Sequence, residues 1–78
     1  MYQLIINLYE WDSICKLVVP NIKNRLAEEF PMVEVVEEYT ESEERPVFRG
    51  LHDGALMFEI KWLCTSVDIA NYFRQRIK

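Results

Sequence analysis

Tyr2-Gln3-Leu4-Ile5-Ile6-Asn7-Leu8-Tyr9, followed directly by Glu10-Trp11-Asp12-Ser13-Ile14-Cys15-Lys16, is the stretch on which the fold turns. Its first eight residues form a near-continuous aliphatic and aromatic run. That content suits a strand covered on both faces, the usual condition of a central strand. Asp12 or Ser13 then offers a side-chain oxygen to cap a helix. Ile14, Cys15, Val18, Val19, Ile22, Leu26 and Phe30 follow at three- and four-residue spacing, with Lys16, Lys23, Arg25 and Glu28 on the other side. Pro20 falls inside this pattern, where it removes a backbone donor and its ring meets the carbonyl of residue 16, so a kink is expected. Pro31 ends the helix.

Beyond Pro31, Val33, Val35, Val36 and Tyr39 predict a second strand, and the chain then turns acidic, with Glu34, Glu37, Glu38, Glu41, Glu43 and Glu44. The ordinary reading of that run is a solvated strand edge and loop; an acidic docking patch at Glu37, Glu38, Glu41, Glu43 and Glu44 is the sharper one. Pro46 to Leu51, then His52-Asp53-Gly54, then Ala55 to Trp62 predict a β-hairpin, because Asp-Gly supplies the positive φ of a tight turn. Strict alternation puts Leu56, Phe58, Ile60 and Trp62 on one face of its second strand. Thr65-Ser66-Val67-Asp68 fits a capping box opening a last helix with Ile69, Ala70, Phe73 and Ile77 as its buried stripe. Arg74, Arg76 and Lys78 complement the dipole at its end. The order is βαβββα, an α/β chain of three to four strands and two helices, read as a single domain over 1–78.

Composition narrows the function classes. The chain has 78 residues, 50% of them apolar, enough for one core of modest stability to which a dimer or larger assembly would add. A net charge of −4 argues against a protein held on nucleic acid by phosphate contacts. Cys15 and Cys64 are too few for a disulfide framework and lack metal-ligand spacing, and the lone His52 at a hairpin tip has no partner ligands, so no metal or cofactor is expected. No basic leader and no long apolar span is present. A cytoplasmic or other reducing intracellular compartment, with free thiols and no membrane contact, is the expectation. Two glycines and one histidine leave no phosphate-binding glycine loop and no serine-histidine triad.

A helix N-terminus projects backbone donors and positive potential at whatever group is mounted on it. There the sequence Trp11-Asp12-Ser13-Ile14-Cys15-Lys16 resembles the thioredoxin family, whose strand runs into Trp-Cys-Gly-Pro-Cys-Lys and whose helix carries a kinking proline four residues past that lysine. Lys16 and Pro20 keep the spacing. Glu10 before the tryptophan, Pro46 ahead of the hairpin at the family's cis-proline position, Asp53-Gly54 and the start of the last helix fall in order. The resemblance covers nearly the whole chain except Tyr39 to Arg45, where the family has a further helix. It implies a shortened thioredoxin-like fold with a central mixed sheet and helices packed on it.

The departures bear on function. The family's nucleophilic first cysteine aligns with Asp12 and its resolving cysteine with Cys15. Asp12 can cap a helix but cannot exchange thiols, and its charge disfavours a Cys15 thiolate. Ile6 stands where the family has a buried acid, and Trp62 aligns roughly with the glycine that opens its substrate groove. The family topology sets Cys15 and Cys64 apart, so no bridge between them is expected, and the ordinary reading of Cys15 is a small buried apolar residue. The resemblance further implies a protein-binding groove at Trp11, Asp12, Ser13, Arg45 and Pro46, with a cis bond before Pro46.

Three functions follow as expectations. The first is a redox-inactive, protein-binding module, a small structural subunit of a hetero- or homo-oligomeric assembly and not an enzyme. The second is a single-thiol thiol-disulfide oxidoreductase using Cys15. The third is an acidic inhibitor or decoy of a thioredoxin partner.

Overall fold

The structure, a computed structural model, describes residues 1–9, 13–40 and 47–77, the side chains of Tyr9, Ser13, Ile14, Cys15, Tyr39 and Thr40 excepted. The elements follow the expected order: β1 (Tyr2–Tyr9), α1 (Ser13–Glu29), β2 (Val33–Thr40), β3 (Val47–His52), β4 (Ala55–Ile60) and α2 (Ser66–Arg76). The sheet order is β2-β1-β3-β4. β1 lies parallel to β2, with Tyr2 level with Val33 and Tyr9 with Thr40, and antiparallel to β3, with Asn7 level with Val47. The sheet is therefore mixed, its parallel pair joined through α1 and its antiparallel pairs built around the hairpin. No helix among the described residues is long and apolar enough to cross a membrane.

The core lies between one face of the sheet and both helices. Leu4, Ile6 and Leu8 of β1, Phe48 of β3, and Phe58 and Ile60 of β4 join Val19, Ile22 and Leu26 of α1 and Ile69 and Phe73 of α2 in one buried cluster. β1 is central, as its apolar run predicts, but the two helices touch each other and share that face. Gln3, Ile5 and Asn7 on the other face of β1 are half-buried, with no described helix packed on them. Cover on both faces is thus not met among the described residues: one parity of the run packs on the helices, and Ile5 on the other is half-buried.

Local chemistry fixes the ends. Pro20 sits exposed inside α1, which continues to Glu29 and stops before Pro31. Asp53 (φ 51) and Gly54 (φ 83) take the positive φ values of the hairpin turn. Thr65 caps α2, its hydroxyl accepting from the Asp68 backbone N–H at 3.3 Å. No cis peptide occurs among the described residues, and the bond before Pro46 lies outside them.

The hairpin departs from strict alternation. Gly50 pairs with Phe58 but Leu51 pairs with Leu56, so Met57 is an extra residue in a bulge. Phe58 and Ile60 are buried as expected, whereas Leu56 is turned out at 57% exposure and Trp62, past the end of β4, at 58%. Gly50 is required because a Cβ there would overlap the Phe58 ring. Phe58 in turn meets Phe73 edge-on at 5.2 Å and stacks on Tyr72 at 5.1 Å, with the Arg76 guanidinium 5.2 Å from its ring centroid.

Candidate functional site: the rim at the start of the first helix

Ile6, Phe48 and Ile60 stand level across three strands. β1 and β4 therefore end, and β3 begins, on one rim of the sheet. β2 ends on the same rim, since Tyr9 is level with Thr40. The anchors of the sequence-predicted groove converge there: Tyr9 and Ser13 flank residues 10–12, and Thr40 and Val47 flank residues 41–46. Trp11, Asp12, Arg45 and Pro46 themselves, with Glu41, Glu43 and Glu44, lie outside the described residues, as do the side chains of Ser13 and Cys15. The exposed Trp62 is carried to this rim by β4.

What is described at the rim is mostly apolar. Ile6 is 1% exposed at the centre of the core, and no polar or charged residue is buried among the described residues. Hence no described group beneath the start of α1 could pass a proton to or from a thiol. Among the described residues, Asn7 Oδ1 is buried here without a hydrogen-bond partner. Such an acceptor costs on the order of 1–3 kcal/mol.

The other cysteine offers no second redox group. Cys64 is a free, buried thiol, its pKa raised first by burial and then by the Asp68 carboxylate, with a hydrogen bond to Trp62 opposing. A raised pKa leaves it protonated and inert at neutral pH.

The acidic run divides where it is described. Strand alternation turns Glu37 to the helix side, where it pairs with Lys23 of α1, and Glu38 to the opposite side, exposed. Lys16, Val19, Pro20, Lys23, Asn24 and Glu37 line a cleft of about 340 Å³ between α1 and β2. Lys16 and Lys23, two helical turns apart, could have been placed on one side from sequence; their neighbour Glu37 could not, because that contact is made only by the crossover.

No protein-family model matches the sequence, and no curated protein matches it. Solved structures do match in shape. Thioredoxin O2 of Arabidopsis thaliana in its oxidized state superposes with a TM-score of 0.80 at 16% identity, over 100% of this chain and 76% of that one. A thioredoxin-like protein of Bacillus cereus gives 0.78 at 13% identity, over 96% and 87%. Mitochondrial thioredoxin 3 of Saccharomyces cerevisiae, in its oxidized form, gives 0.74 at 19% identity, over 95% and 77%. The chain has a thioredoxin-like fold.

Proposed function

We propose that the chain is a redox-inactive, protein-binding module of thioredoxin-like fold, a small structural subunit of a larger assembly. The observation that carries this reading is Ile6. A strand position where the resemblance expects a buried acid is filled by a side chain 1% exposed in an apolar core. A thiol at the start of α1 then has no described proton-handling partner, and the sequence sets Asp12 where the first cysteine would stand. The inert Cys64 supports the same reading. The fold is kept for its shape: the rim of Trp11, Asp12, Ser13, Arg45 and Pro46 is the surface offered to a protein partner.

Reduction of insulin disulfides with dithiothreitol as the recycled reductant tests the redox half. No acceleration over dithiothreitol alone is expected, and titration of Cys15 should give a thiol pKa above about 8.5. A Cys15 pKa well below about 7, with turnover lost in Cys15→Ser, would establish the single-thiol oxidoreductase instead. Sizing of the native particle tests the assembly half: chain found only as free monomer would overturn it.

A further inference from the structure

The face of the sheet turned away from the helices presents Ile5, Val36, Val47, Leu51 and Leu56, all half-buried or exposed, and no described element packs on it. The smallest Cα dimension of the molecule, 16 Å, is that of one sheet with one layer of helices. We propose that this face is a self-association surface, closed by a second copy of the chain related by a two-fold axis parallel to the strands.

Charge placement selects both the occupant and the axis. On the β2 side the face carries Glu34 and Glu38, both exposed. On the β3–β4 side it carries Arg49, Glu59 and Lys61, with Glu59 held between the two cations: 2.8 Å from Arg49 and 3.6 Å from Lys61. One side is thus negative and the other net positive. The register puts Glu38, Asn7 and Val47 at one level; Lys61, the first residue past β4, would fall at that level if the Phe48–Ile60 pairing is continued by one step. An axis parallel to the strands exchanges the two sides, laying Glu38 of each copy over Lys61 of the other. An axis across the strands would instead oppose Glu38 with Glu34. Lys61 is 71% exposed, and on closure its 3.6 Å contact with Glu59 would be exchanged for Glu38 of the other copy. The charges at the centre of the face, Arg49 and Glu59, already pair with each other, so closure leaves neither of these two unpaired, while Glu34 stays at the outer edge, level with Leu56 of the other copy.

The size fits a weak, reversible dimer. Four strands ~4.8 Å apart, each about six residues of ~3.3 Å, make a face of roughly 400 Å² before side-chain relief. Two such faces with relief approach ~1,000 Å², the low end for a specific interface. With the axis between β1 and β3, aligned sheets packing at ~10 Å would set Ile5 against the aliphatic stem of Arg49, Val36 against Glu59 and Leu51 against Gln3 of the other copy.

This deepens the assembly reading but uses the open face of the sheet, which meets the rim only at its Glu38–Val47–Lys61 end, and it is judged by different readouts, so the two fail separately. Sedimentation equilibrium across micromolar to sub-millimolar chain, with circular dichroism to confirm the fold, is the test. A monomer–dimer equilibrium is expected, weakened about tenfold by Glu38→Lys or by Lys61→Glu alone and restored within about threefold in the double variant. Leu51→Lys should abolish it. A monomer throughout overturns the proposal, and so does a dimer indifferent to these changes, which would be held by another surface. In either case the insulin assay and the size of the native particle still judge the proposed function on their own.

Discussion

The two faces of the sheet are built from the same strands, residue by residue in alternation, yet they meet opposite surroundings. On one, Leu4, Ile6, Leu8, Phe48 and Ile60 are fully buried under α1 and α2. On the other, Gln3, Ile5, Asn7, Val36 and Leu51 are left half-covered. A position's neighbour in sequence is therefore a poor guide to what a substitution costs; its parity is the better one.

Ile6 and Ile5 give the largest contrast. Ile6→Asp places the acid that the resemblance expects into a core with no described polar partner. An unpaired buried charge costs several kcal/mol, on the order of the whole stability of so small a domain. Loss of the cooperative thermal transition at neutral pH is expected. Ile5→Asp, one residue away on the open face, should cost under about 1 kcal/mol and keep that transition. Equal losses would show that the open face is buried in the isolated chain.

The second contrast concerns glycines on the hairpin. At Gly50 a methyl would overlap the Phe58 ring, which is itself held by Phe73 and Tyr72, so Gly50→Ala should cost about 2–3 kcal/mol by overpacking. Gly54 has open space but φ +83, and Gly54→Ala should cost about 1 kcal/mol through backbone strain alone. Urea melts of both variants order the two effects. Smaller still is the cap of α2: Thr65→Ala removes the acceptor for the Asp68 N–H and should lower stability by about 1 kcal/mol.

Much of this was legible in the sequence, and the rest fails for an identifiable reason. Pro31 and Asp53-Gly54 act through their own backbone and Thr65 through a side chain three residues from its partner, so the end of α1, the hairpin turn and the start of α2 read directly. The bulge at Met57 is decided by pairing with β3 and cannot be seen in β4 alone; it moved Leu56 off the face that Phe58 and Ile60 share. The side chosen by the helices is likewise tertiary, which is why the near-continuous run of β1 read as covered on both faces. His52 is exposed, as a hairpin tip suggests, but it also stacks on Tyr2 at 4.2 Å, a contact set by the β1–β3 register. At the site, the spacing of Lys16 and Pro20 was readable because it is local. The Lys23–Glu37 pair joins helix to strand and was not.

The smallest expected effect lies on the open face itself, at Glu59. Its carboxyl is held below the ordinary glutamate value first by the hydrogen bond from Arg49; desolvation opposes this, and the Arg49 and Lys61 charges add to the lowering. A folded-state pKa below the unfolded one contributes stability that is present at neutral pH and is lost as pH falls through the lowered folded value. Glu59→Gln should therefore leave the melting temperature slightly lower at pH 7, a difference from the parent chain that shrinks to nothing as pH falls through the lowered folded value. The pair is solvent-facing, so added salt should shrink that difference at pH 7 as well. If instead the difference at pH 7 persists in salt and grows with chain concentration, Glu59 is working inside an interface. Screening and mass action thereby distinguish a wet sheet face from one covered by a second copy.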